Sequence, residues 1–115
     1  MNDTISREEI KARLDSGEPI TLVEALPQKY FDEAHLPGAI NIPHDQLRNL
    51  APALLPEKEA LIAVYCASTE CNNSRIATNL LRGMGYANAL EYIDGKKDWV
   101  EAGLPVEAST QRRAG

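Results

Sequence analysis

The chain has 115 residues, 43% hydrophobic and 25% charged, enough for one globular domain with a core of its own and too few for a second. Twelve basic residues against 17 acidic ones leave a net charge of −5, so neither nucleic acid nor an anionic membrane is an expected partner. Residues 1–9 are polar and mixed in charge, unlike a secretory signal, and no apolar run approaches bilayer length, so a cytoplasmic protein is expected. Two cysteines are too few for a disulfide scaffold, which in a reducing compartment leaves them for chemistry, metal binding or packing.

Taken in order, Thr4 and Ile5 suit a very short first strand. Ser6 and Glu9 form a capping box that opens a helix with Ile10 and Leu14 inward, closed by Ser16 and Gly17. Residues 20–25 read as a buried strand, and Pro27 starts a short helix carrying Tyr30 and Phe31. Residues 39–42 are a third strand, closed by Pro43. Leu47, Leu50, Leu54 and Leu55 recur at helical spacing, with Pro52 predicted to interrupt or shorten that helix.

Residues 61–65 are apolar without alternation, which suits a strand covered on both faces, as in a parallel sheet between helices. After a polar loop over residues 67–73, Ile76, Ala77, Leu80, Leu81 and Met84 mark one face of a helix that Asn72, Asn73 or Ser74 can cap. Residues 89–93 form a further strand, Asp94 and Gly95 a turn, and a last helix runs through Trp99 and Val100. Leu104, Pro105 and Val106 then lie back on the body. The expected domain spans residues 1–107, with a disordered tail over 108–115. Alternating strands and helices imply an α/β fold, its sheet mainly parallel and flanked by helices on both faces.

Cys66 falls at the carboxyl end of the central strand, the edge of an α/β sheet where ligands bind. Loop N–H groups and the dipole of the following helix favour negative charge there, which predicts a thiol more acidic than usual. The same position also suits a small buried thiol with no chemical role. Cys71 stands five residues on, near enough to attack an oxidised or sulfur-loaded Cys66, or merely to line the loop. The thioredoxin spacing Cys-x-x-Cys is absent. Zinc held by both cysteines with His35 and His44 is disfavoured by their spacings. His44 is expected at the surface, Trp99 in the core, and Lys96 and Lys97 in a solvated turn. Nothing calls for a cofactor or a resident metal.

Three segments resemble the signatures of rhodanese-like domains in the family's order. The first is Leu22, Val23 and Glu24, then Tyr30, then the run from His35 to Pro43. The second is Val64, Tyr65 and Cys66 with Ser74, Ala77, Leu80, Leu81, Gly85 and Tyr86. The third is Gly95, Trp99 and residues 102–106. The resemblance spans nearly the whole chain and implies a five-stranded rhodanese-like sheet. It also implies a sulfurtransferase in which Cys66 takes sulfane sulfur as a persulfide and passes it to a thiol or other nucleophile. The substrate-binding loop is then Ala67, Ser68, Thr69, Glu70, Asn72, Asn73, Ser74 and Arg75, with Cys71 as a possible resolving thiol. The backbone amides of residues 67–73 are expected to form an anion nest. The partners implied are a small sulfur donor or a protein persulfide, and a thiol acceptor.

The departures from the family pattern bear on activity. The loop is two residues longer than in the commonest short members, has no glycine or arginine inside it, and carries Glu70, so thiosulfate is expected to be a poor donor. Glu24, Ala25 and Leu26 replace an Asp-x-Arg, removing an arginine that braces the loop, and Lys96 stands where a second glycine is usual. A phosphatase group of this fold has Cys followed by five residues and Arg; Asn72 at that position leaves a phosphate without its bidentate partner. The alternative to an enzyme is a catalytically weak or inactive binding or regulatory module of the same fold.

Overall fold

The computed structural model describes residues 3–108, so the tail predicted over 108–115 lies, apart from Ala108, outside the described residues. The elements follow in the order α1 (Arg7–Ser16), β1 (Thr21–Glu24), α2 (Gln28–Glu33), β2 (Ile40–Asn41), a 3-10 turn (His44–Gln46), α3 (Leu47–Leu54), β3 (Ile62–Tyr65), α4 (Asn73–Gly83), β4 (Ala89–Glu91) and α5 (Gly95–Glu101). The four strands pair in parallel in the order β2-β1-β3-β4. The predicted fifth strand is reduced to one parallel bridge, Thr4 to Glu91, because only the Asp3 carbonyl and the Ile5 amide bond to Glu91 before Ser6 caps α1.

The central strands are covered on both faces, as their unbroken apolar run predicts. Ile62 and Val64 of β3 pack with Val23, Ala51, Ala77 and Leu81 against α3 and α4, whereas Ala63 and Tyr65 face Ile10, Leu22, Tyr92 and Trp99 on the side of α1 and α5. Trp99 is fully buried and its indole N–H donates to the Pro105 carbonyl (2.8 Å). This bond and the antiparallel bridge between His35 and Glu107 lay the closing segment back on the body.

Several local expectations are corrected. Pro52 lies within α3 without breaking it, and a 3-10 turn precedes that helix. The inner face of α4 is Ser74, Ala77, Thr78 and Leu81, so Ile76, assigned to it by spacing, is 49% exposed. No side chain caps α4: Asn72 stands at the cap position without a side-chain bond to the helix, and Ser74 lies inside the first turn. His44 is half-buried rather than exposed.

Candidate active site

β3 delivers Cys66 to the carboxyl edge of the sheet, and the first loop peptides are fixed from two sides. The Lys96 and Lys97 amides at the start of α5 donate to the carbonyls of Cys66 (2.9 Å) and Ala67 (2.8 Å), while the Ala25 amide beyond β1 holds the Tyr65 carbonyl (2.9 Å). Gly95 permits this approach. It has φ +73°, and a Cβ there would lie 2.7 Å from the Cys66 carbonyl oxygen. The glycine of the third signature thus lets α5 pack onto the loop backbone.

Lys96, expected in a solvated turn, is instead half-buried and anchors the start of α5. Its ammonium reaches Glu24 Oε2 (2.9 Å) and the carbonyls of Tyr30 (3.0 Å) and Ala34 (2.6 Å), joining α5 to β1 and α2. Glu24 is fully buried and also accepts from the Tyr65 hydroxyl (2.8 Å), which in turn accepts from the Leu36 amide (3.1 Å). Burial pushes the Glu24 carboxyl up and Lys96 pulls it back.

The sulfur of Cys66 is fully covered. Its thiol faces two acceptors, the Ser74 hydroxyl oxygen (3.3 Å) and the Cys71 carbonyl (3.4 Å). The amides of Glu70 and Cys71 turn inward to the Ser68 hydroxyl (3.3 Å) and carbonyl (3.1 Å). The expected nest is therefore incomplete: these two donors belong to the loop's own turn. Desolvation pushes the Cys66 thiol up, Cys71 pushes the same way, and Ser74 pulls it down through its backbone amide and, whenever its proton turns to sulfur, its hydroxyl. This reverses the expected acidity, because burial and a facing carbonyl oppose the thiolate.

Of the other predicted loop residues, Ala67, Thr69, Glu70, Asn72 and Arg75 are exposed, Ser68 and Cys71 are half-buried, and Asn73 reaches the Ala25 carbonyl (3.5 Å). Both cysteines are free thiols. Beside the loop, an open cleft is bordered by Glu70, Asp94, Asp98 and Glu101, with Lys97 as its cation. Neither this cleft nor a larger concavity lined by Phe31, Asn41, Asp45 and Leu50 includes a cysteine. His35, buried, has Nδ1 2.7 Å from the Phe31 carbonyl, a backbone-bonding role. No group of three His, Cys, Asp or Glu among the described residues is arranged to hold a metal ion.

The sequence reading missed Glu91 and Lys96. Glu91, at the end of β4, accepts from the Ser74 hydroxyl (2.8 Å), and Lys96 ties α5 to the buried Glu24 (2.9 Å). The advance signals were a charge, Glu91, inside the apolar run 89–93, and Lys96 standing where a second glycine is usual.

A parallel α/β sheet carrying a buried thiol at its carboxyl edge, followed by a loop and helix, defines a class of thiol-bearing α/β domains. Residues 6–102 match the model of the Rhodanese-like domain, and the chain belongs to that family. It is similar to an HTH-type transcriptional regulator of Mycobacterium tuberculosis, 34% identical over 91% of this chain and 45% of that protein. An adenylyltransferase and sulfurtransferase of Zea mays is 34% identical over 89% of this chain and 22% of that protein. The chain thus spans less than half the length of these curated relatives. The human single-domain sulfurtransferase superposes with a TM-score of 0.77 at 25% identity, covering 88% of this chain and 97% of that one. Sulfur transfer is the activity named for two of these three relatives. No helix among the described residues is long and apolar enough to cross a membrane.

Proposed function

We propose that this protein is a sulfurtransferase that carries sulfane sulfur as a persulfide on Cys66. The observation that supports this most is the position of Cys66 at the carboxyl end of β3, with the following loop anchored by Lys96 and Gly95. The likeness to sulfurtransferases supports it further. In the step proposed, the Cys66 thiolate attacks the outer sulfur of a donor R–S–SH. A bond forms between the two sulfurs, the donor S–S bond breaks, and the leaving thiolate R–S⁻ takes up the proton that Cys66 lost. A thiol or other nucleophilic acceptor then removes the outer sulfur from Cys66.

Cys71 is the resolving thiol in this account. Its attack on the inner sulfur of the Cys66 persulfide gives a Cys66–Cys71 disulfide and releases hydrogen sulfide, after which an external thiol reduces the pair. The acidic cleft makes anionic thiosulfate a poor donor and favours uncharged or protein-borne persulfides. The net charge of −5 supports partners other than nucleic acid or an anionic membrane.

A second reading, a weakly active binding or regulatory module, is favoured by one observation: the sulfur is fully covered and faces acceptors, so the loop must open before chemistry. Intact mass after incubation with polysulfide, mercaptopyruvate or thiosulfate, with and without reductant, separates the two. A reducible gain of sulfur supports the transferase. No gain from any donor supports the binding module.

A further inference from the structure

Cys66, Ser74 and Glu91 form a chain in which the thiol donates to the Ser74 hydroxyl oxygen (3.3 Å) and that hydroxyl donates to Glu91 Oε2 (2.8 Å). A serine hydroxyl has one proton to give. While it goes to Glu91, the hydroxyl can only accept from sulfur, an arrangement that holds the thiol and leaves the fixed Ser74 amide as that residue's one donor to a thiolate. We propose that Glu91 sets the reactivity of Cys66 by competing with its thiolate for the single proton of the Ser74 hydroxyl. Glu91 is thus a positioning residue that keeps the resting sulfur protonated, and the inference rests on the reading of Cys66 as the sulfur-accepting thiol.

The surroundings leave this hydroxyl as the adjustable donor. Ser74 is buried, its carbonyl is committed to the Thr78 hydroxyl (2.7 Å), and the Cys71 carbonyl on the sulfur's other side cannot donate. Among charged or titratable groups, Cys71 lies in the loop, Glu24 of β1 is spent on Lys96 and Tyr65, and Arg75 of α4 is exposed. Lys96 of α5 offers the site only its amide, which is bound to the Cys66 carbonyl. With a neutral side chain in place of Glu91, Ser74 is free to turn its proton to sulfur, a charge-assisted bond that favours the thiolate. A carboxylate cannot donate to Ser74 in return, whereas a glutamine amide can.

The test is the rate of iodoacetamide alkylation of Cys66 against pH, in a Cys71→Ser background so that one thiol reacts. Glu91→Gln should lower the midpoint by about one unit, making alkylation at neutral pH about tenfold faster. Adding Ser74→Ala should abolish that gain. Glu91→Asp, whose shorter carboxylate withdraws from the hydroxyl, should shift the midpoint the same way by less, and it reads the proposal if the glutamine variant fails to fold. An unchanged or higher midpoint in these variants overturns the proposal, as does a gain that persists undiminished without the Ser74 hydroxyl. Mass gain with polysulfide tests the underlying reading separately. A wild type that takes up no sulfur but shows the Glu91 shift keeps the competition and loses the transferase.

Discussion

Replacing Gly95 with alanine should destabilise the fold and loosen the loop that holds Cys66. The added Cβ would lie 2.7 Å from the Cys66 carbonyl oxygen and 2.9 Å from both Ala67 C and Ser68 N, all backbone atoms that no rotamer change can move aside. At φ +73° the new side chain is also strained. The left-handed conformation costs about 1–2 kcal/mol and overpacking about 1–3, for a loss of roughly 2–5 kcal/mol. With a urea slope of about 1.5 kcal/mol per molar, the unfolding midpoint falls by roughly 1.3–3.3 M. Urea titration by circular dichroism measures this. The same clash should lengthen the Lys96 and Lys97 amide bonds to Cys66 and Ala67, so sulfur loading should fall in protein that remains folded. A loss under about 0.5 kcal/mol, the size of an ordinary surface change, would show that α5 does not pack on the loop this way.

Lys96→Met leaves Glu24 buried without its cation and should cost about 3–5 kcal/mol at neutral pH. Glu24 is already pushed up, so its contribution to stability is full below the ordinary carboxyl range and is lost as pH rises through the raised value; Lys96→Met raises that value further, and the variant should regain stability in urea titrations as pH falls from neutral toward 5. Wild-type Cys66, pushed up by burial, should alkylate with a midpoint above about 8.5, and a midpoint well below that would show the loop amides dominate after all. Glu70→Arg reverses one charge at the acidic cleft and should raise the thiosulfate rate severalfold, an effect that fades with added salt; an unchanged rate would remove charge as the reason for poor thiosulfate use.

What the sequence made legible was local. The capping box at Ser6 and Glu9 forms both of its bonds (3.1 and 2.9 Å) because every atom involved lies within four residues. The strand over residues 61–65 and Cys66 at its end were readable because an unbroken apolar run between turn formers has few other uses. The contacts that define the site join distant positions. Lys96 meets Glu24 across 72 residues and Ser74 meets Glu91 across 17, pairs that no periodicity connects. The inner face of α4 was misjudged at Ile76 for a related reason. Spacing gives a helix a face, but the sheet and α3 choose which face, and here they select Ser74, Ala77, Thr78 and Leu81. The acidity of Cys66 was read with the wrong sign because a helix dipole is visible in sequence, whereas the depth of burial and the direction of the Cys71 carbonyl are not.

The central claim is that Cys66 carries the sulfur, and intact mass of the Cys66→Ser and Cys71→Ser variants after incubation with polysulfide tests it most directly. The account predicts that Cys71→Ser gains one reducible sulfur and Cys66→Ser gains none. Sulfur on Cys71 with Cys66 unmodified would contradict it and move the nucleophile into the loop.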